Sequence, residues 1–138
     1  MRLVADANVL LSAVLGDRAR LVLYHPAVEQ VFTAEPTLAE VREYAVILAP
    51  KRRLAIDVVL LGVATLPVTT VERATYANSM SQARRLMGKR EPDDVDILAL
   101  ALHMGVPLWS NDNDFEETGV EWFTTAELLK HLRISRSR

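Results

Sequence analysis

Four acidic residues, Asp6, Glu40, Asp94 and Asp112, are placed where strand patterns end or helix patterns begin. Each stands beside an apolar element, so four widely separated stretches of chain can deliver a carboxylate to one edge of a sheet. Carboxylates held that close repel by several kcal/mol in a partly desolvated pocket unless some are protonated or a cation sits among them. The cation is the simpler solution. An all-oxygen set with no cysteine and no paired histidines suits Mg²⁺ or Mn²⁺ rather than zinc. The chemistry this predicts is metal-dependent hydrolysis.

Each acid also has a structural reading. Asp6 can cap the helix that follows it, but a carboxylate ending an apolar strand is costly to bury without a partner. Thr37-x-x-Glu40 reads as a capping box, which explains Glu40 as a helix stabiliser. Residues two apart on a helix point to nearly opposite sides, so Asp94 and Asp96 do not aim at one ion from regular helix. Asp94 shares its face with Ile97, Leu98 and Ala101 and is the expected ligand. Asp93 and Asp96 complement the positive helix N-terminus, with Asp96 as an auxiliary ligand. Asp112 is preferred over Asp114, which acts through a water or makes an Asx-turn. Asn8 and Ser110 are expected to hydrogen-bond the carboxylates from behind.

Short apolar runs alternate with helical patterns and must position these groups. Strands are predicted at Arg2–Ala5, Val31–Ala34, Thr65–Thr70, Val106–Ser110 and Glu121–Phe123. Helices are predicted over Ala7–Leu15, from Pro36-Thr37 to a stop at Pro50, over Leu54–Val63, over Val71–Met87, over Asp93–Met104 with Asp93 as cap and Gly105 as stop, and from a Thr124-x-x-Glu127 capping box to Leu132. Strand alternating with helix implies an α/β fold, a mostly parallel sheet of four to five strands covered on both faces. In such sheets the active crevice lies beyond the carboxyl ends of the strands, the rim where Asp6 and Asp112 fall.

With 138 residues, half of them apolar, the chain fits one domain with one substantial core, read as residues 1–132 followed by a basic tail at 133–138. The absence of cysteine excludes disulfides, thiol catalysis and cysteine-ligated zinc, and fits a reducing cytosol. Asp6 interrupts the first apolar run, so no secretory signal is expected. The run Val58–Ala64 falls short of the about 20 residues that cross a bilayer. A cytoplasmic protein with no membrane contact is the expectation. His25, His103 and His131 lack partner spacing and read as structural, and Trp109 and Trp122 read as packing residues.

The stretches Leu3-Val4-Ala5-Asp6-Ala7-Asn8-Val9-Leu10, Thr37-Leu38-Ala39-Glu40-Val41, Pro92-Asp93-Asp94-Val95-Asp96-Ile97-Leu98-Ala99-Leu100-Ala101 and Ser110-Asn111-Asp112-Asn113-Asp114-Phe115 resemble the PIN-domain nucleases, including the VapC-type toxins of toxin–antitoxin pairs. They are spread over the whole chain and occur in order. The resemblance implies a three-layer α/β/α fold and an endoribonuclease of single-stranded RNA. It implies one or two Mg²⁺ or Mn²⁺ ions, held by Asp6, Asp94 and Asp112 with Glu40 binding a second ion or orienting the water. In two-metal sites the ions sit roughly 4 Å apart, each assisting one of the attacking and leaving oxygens. A homodimer is implied too, with Leu54–Val63 as a candidate surface, and an antitoxin is a possible partner.

The formal charge of −2 does not oppose this, because a nucleic-acid binder needs a local basic patch rather than a basic total. Arg84, Arg85, Lys89 and Arg90, close before Asp94, are the expected phosphate contacts. Asp6-Ala7-Asn8 is also similar to haloacid-dehalogenase-like phosphatases, but those need an aspartate where Asn8 stands. A phosphorylation-receiver domain lacks its mid-chain acceptor strand and late lysine here. The remaining alternative is an inactive PIN-like RNA-binding or scaffolding protein, against which the complete acidic set counts.

Overall fold

A computed structural model describes residues 1–87 and 94–136, with side-chain surroundings as far as Arg133. The strands are β1 (Arg2–Ala5), β2 (Gln30–Ala34), β3 (Thr69–Val71), β4 (Leu108–Trp109) and β5 (Trp122–Phe123). All pair in parallel, in the order β3-β2-β1-β4-β5. The chain builds outward from β1 through β2 and β3, then crosses back to add β4 and β5 on the other side. Strand order therefore reverses between β1 and β4. In open parallel sheets that reversal opens a crevice at the carboxyl ends, because the crossovers on its two sides diverge.

Alternate residues of each strand bury into opposite layers, as the two-residue period of a strand requires. Leu3, Ala5, Val31 and Trp109 pack with α1 (Ala7–Val14), α2 (Ala19–Leu23), α3 (Glu35–Lys51), α4 (Ile56–Ala64) and α8 (Thr125–Arg136). Val4, Phe32, Ala34 and Leu108 pack with α5 (Arg73–Tyr76), α6 (Met80–Met87) and α7 (Val95–Met104). The result is the expected α/β/α sandwich. Every residue from Val95 to Ala101 is buried, so α7 is apolar nearly all round, as a helix under a central sheet must be. It stops at Gly105, whose φ of +66° is readily adopted only without a Cβ.

Several local expectations are corrected. The helix after β2 starts at Glu35, with Ala34 as an N-cap that makes no side-chain bond, so Thr37 and Glu40 do not form its capping box. Pro36 in the first turn has no N–H that needs a cap, and Thr37 is buried inside the helix. Pro50 does not end that helix; it sits in the last turn, which runs to Lys51. The segment read as one helix over Val71–Met87 is broken into α5, a 3-10 turn at Ala77–Ser79, and α6. Helix α2 lies in a segment given no element by the sequence. The expected helix start at Asp93 lies outside the described residues, and α7 begins at Val95 with Asp94 as N-cap. Helix α8 runs to Arg136, past the expected end at Leu132. Its capping box is present: Thr124 N–H donates to Glu127 Oε1 at 3.0 Å and Glu127 N–H to Thr124 Oγ1 at 3.1 Å.

Candidate active site at the strand reversal

Asp6 leaves the carboxyl end of β1 at the reversal point and is 5% exposed. Its backbone N–H donates to the Trp109 carbonyl at 3.0 Å, tying it to β4. Its Oδ1 accepts from the Ala7 N–H at 2.7 Å, and its Oδ2 accepts from Ser110 Oγ at 2.9 Å and Asn8 Nδ2 at 3.2 Å. Asn8 and Ser110 thus both donate to the carboxylate, one from the first turn of α1 and one from just past β4. Asn8 Oδ1 also accepts from the Asn111 N–H at 3.2 Å, and Asn111 Oδ1 from the Thr125 N–H at 2.8 Å. The loop after β4 is thereby pinned to both α1 and α8.

That loop carries Asp112, whose N–H donates to Ser110 Oγ at 3.1 Å and whose own Oδ1 accepts from the Asp114 N–H at 3.3 Å. The Asp112 side chain makes an Asx-turn of its own with the Asp114 N–H. Burial pushes the Asp6 pKa up, the Ser110 and Ala7 bonds offset part of that, and the charges of Asp112 and Asp114 add to it. Among the described residues, every donor bonded to Asp6 is neutral. Three carboxylates thus act on one corner, and the described partners of Asp6 return only dipoles.

Asp96 presents the opposite case. Its Oδ1 accepts from Arg73 Nε at 2.9 Å and from the Tyr76 hydroxyl at 2.6 Å, and its Oδ2 from Arg73 Nη2 at 3.0 Å. Burial favours the neutral acid, but the Arg73 and Tyr76 bonds and the Arg73 charge, helped by Arg84, outweigh it and hold the Asp96 pKa below the usual carboxylate value. Burial first, and then the Asp96 bond and charge, push the Tyr76 hydroxyl up. Both Asp96 oxygens are therefore engaged with the chain's own donors. Glu40 lines a cavity of about 520 Å³ together with Glu43, Tyr44, Arg73 and Asp96.

Of the four expected acids, Asp6 and Asp112 share the strand-reversal corner, Glu40 faces that cavity, and Asp94 stands half-buried at the start of α7. Glu40, Asp94 and Asp114 each have a polar or electrostatic partner. Among the described residues, no group of three or more His, Asp or Glu side chains is drawn together tightly enough to hold a metal ion. Arg84 and Arg85 are exposed on α6, and Lys89 and Arg90 lie outside the described residues. Sequence reasoning missed Arg73, Tyr76 and Asn111. The Arg73 and Tyr76 spacing on one short helix was visible, but nothing local pointed to Asp96, more than one element away.

A PIN-domain family model matches residues 4–133. The chain belongs to the PIN-domain family. Solved structures share the fold of this PIN domain at low identity. VapBC2 from Rickettsia felis, bound to a DNA fragment from its promoter, matches at 16% identity over 90% of this chain and 98% of that one, with a TM-score of 0.67. VapC20 of Mycobacterium tuberculosis, a sarcin-ricin loop cleaving toxin, matches at 20% identity over 87% and 96%, with a TM-score of 0.57. FitAcB from Neisseria gonorrhoeae matches at 20% identity over 90% and 98%, with a TM-score of 0.53. No curated protein sequence matches this PIN domain.

Proposed function

We propose that this PIN domain is a divalent-metal-dependent endoribonuclease that hydrolyses phosphodiester bonds in single-stranded RNA, as the toxin of a toxin–antitoxin pair. The observation that carries the reading is Asp6: a buried carboxylate at the strand reversal, its pKa raised by burial and by Asp112 and Asp114, with neutral donors alone bonded to it among the described residues. Such a site favours a cation, and its hard oxygen donors fit Mg²⁺ or Mn²⁺. Asp6, Asp94 and Asp112 are the residues assigned to hold one ion, with Glu40 for a second or for the attacking water and Asp114 in reserve; Asp96, whose two oxygens accept from Arg73 and Tyr76, is assigned to Arg73 rather than to an ion. When bound, the ion lowers the pKa of a water and offsets charge on the phosphate.

The chain's own residues orient the groups. Ser110 and Asn8 fix the Asp6 carboxylate by hydrogen bonds to one oxygen, leaving its direction set before substrate arrives. Arg84, Arg85, Lys89 and Arg90 are assigned to the RNA backbone. The toxin assignment draws on VapBC2 and VapC20, whose fold this chain shares. Exposed apolar side chains on α2, at its C-cap and on α4, among them Leu21, Tyr24, Val58 and Leu61, supply surface for an antitoxin or a second copy. Among the described residues no helix is long and apolar enough to cross a membrane, and a cytoplasmic location is part of the proposal.

One observation favours the competing reading of an inactive RNA-binding or scaffolding PIN protein: no three ligating side chains converge among the described residues. Cleavage of a labelled single-stranded RNA of mixed sequence, with Mn²⁺, Mg²⁺ or EDTA, separates the two. Metal-dependent cleavage that is lost in folded Asp6→Asn and Asp94→Asn proteins supports the nuclease. RNA binding without cleavage supports the scaffold, and equal cleavage by all three proteins reveals a contaminant.

A further inference from the structure

We propose that Arg73 grips a backbone phosphate of the RNA with the outer edge of its guanidinium, and that Asp96 and Tyr76 are positioning residues that hold that edge in place. This rests on the ribonuclease reading and adds a substrate contact to it. Asp96 takes the Nε and Nη2 donors of Arg73 at 2.9 and 3.0 Å, which occupies one edge of the guanidinium. A guanidinium carries five N–H donors in one plane. Three remain, two on Nη1 and one on the outward side of Nη2, and together they form a second fork. Among the described residues no hydrogen bond engages Nη1.

The pair has a buried half and a wet half. The Arg73 side chain is 60% exposed and that of Asp96 is 11% exposed. Arginine exposed to this degree adds little stability through its charge alone. What a two-bond contact does provide is a fixed plane, and a fixed planar fork is the geometry that matches two oxygens of a phosphate. The Tyr76 hydroxyl, donating to Asp96 Oδ1 at 2.6 Å, holds the carboxylate so that it cannot swing with the arginine.

Placement supplies the second argument. Arg73 lines the cavity of about 520 Å³ that Glu40 also lines, so the fork stands beside one of the assigned acids. That volume lies within the range of sites for small ligands. Among the described residues lining it, Glu40, Glu43 and Asp96 are acidic and Arg73 is the one cation. Along the described lining an acidic wall repels a polyanion except at that guanidinium, which therefore fixes the register of a strand crossing the cavity. Arg84 on α6 also acts electrostatically on Asp96, so the exposed basic face of α6 continues from this corner.

The test measures binding and Mn²⁺-dependent cleavage of a labelled single-stranded RNA by the full chain at several salt concentrations. Arg73→Gln is expected to raise the Kd and KM roughly tenfold, the loss of a charge-assisted bond, with kcat nearly kept. It should also lower the slope of log affinity against log salt by about 0.7, the loss of one phosphate contact. Arg73→Lys should restore the salt slope but not the KM, because an ammonium is a point charge without the fork. Asp96→Asn and Tyr76→Phe should raise KM while leaving the slope unchanged. Wild-type cleavage with identical Kd, KM and salt slope in folded Arg73→Gln overturns this inference alone. A wild type that neither binds nor cleaves RNA overturns the ribonuclease reading and this inference together.

Discussion

Asp6 and Asp96 are both buried aspartates beside the sheet, 5% and 8% exposed, and they have opposite electrostatics. Asp96 has its counter-charge inside the chain: Arg73 makes two bonds to it and Tyr76 a third, and its pKa is held down. Asp6 has three neutral donors and two like charges nearby, and its pKa is pushed up. A carboxylate whose cation is built in is complete when the chain folds. One that is buried among dipoles and other acids is stabilised fully only by a cation from outside. Location agrees with this, since Asp6 lies at the strand reversal and Asp96 lies under the sheet on α7.

The comparison breaks most visibly in activity. Asp6→Asn removes an assigned ligand, and a ligand worth several kcal/mol of transition-state stabilisation corresponds to a loss of roughly a thousandfold in kcat/KM. Asp96→Ala, by contrast, is expected to leave kcat within about tenfold, since by the reading above Asp96 acts only through Arg73. RNA cleavage assays with Mn²⁺ on both proteins check this, and comparable losses would erase the distinction. Ser110→Ala sharpens the first half: it removes one bond that orients Asp6 and should cost about 10- to 100-fold in metal affinity or activity, read from a Mn²⁺ titration.

Stability should rank the other way. Asp96→Ala leaves the Tyr76 hydroxyl without its acceptor and should destabilise the fold by about 2 kcal/mol, whereas Tyr76→Phe should cost about 1 kcal/mol. Urea unfolding measures both, and a cost for Asp96→Ala no larger than for Tyr76→Phe would show that the ion pair is idle.

The smallest expected effect is in pH dependence, where the two aspartates have opposite signs. The Asp96 pKa is lowered from 3.8 by its bonds, so its stabilisation is present above that value and is lost as pH falls through the folded value. The Asp6 pKa is raised from 3.8, so its penalty is absent below that value and grows as pH rises through the folded one. Metal-free Asp6→Asn should therefore lose less stability than the wild type as pH rises through that window, while Asp96→Asn should lose less as pH falls below it. Thermal melts across pH check both slopes. Added Mn²⁺ should raise the Tm of the wild type more than that of Asp6→Asn, by mass action on the folded state.

Legibility in the sequence followed the range of the interactions. The pattern Thr-x-x-Glu occurs twice at expected helix starts, and only one copy caps. Thr124 and Glu127 exchange both bonds, whereas Thr37 and Glu40 sit within a helix already begun at Glu35. The difference is where the preceding strand stops: β2 ends at Ala34 and hands directly into α3, and that end point is set by pairing with β1 and β3. Strand β1 and the stop at Gly105 were legible because an apolar run and an αL glycine are local facts. Asn8 and Ser110 were legible as partners of Asp6, because each lies within two residues of one of the assigned acids.

The sequence alone determined that the chain is α/β, that Asp6, Asp94 and Asp112 lie at element boundaries, and that those acids belong to a PIN domain. Hydrophobic period carries the fold class and the boundaries, and the resemblance of the four motif stretches carries the family; each is read from local sequence. Only the tertiary structure decided which carboxylates have their cations built in. That depends on which side chain arrives from another element, as Arg73 on α5 does at Asp96 on α7, and on the strand reversal that leaves Asp6 among neutral donors at the rim. Burial and Coulomb energy are set by neighbours in space, and those neighbours are chosen by the packing of the two helical layers on the sheet.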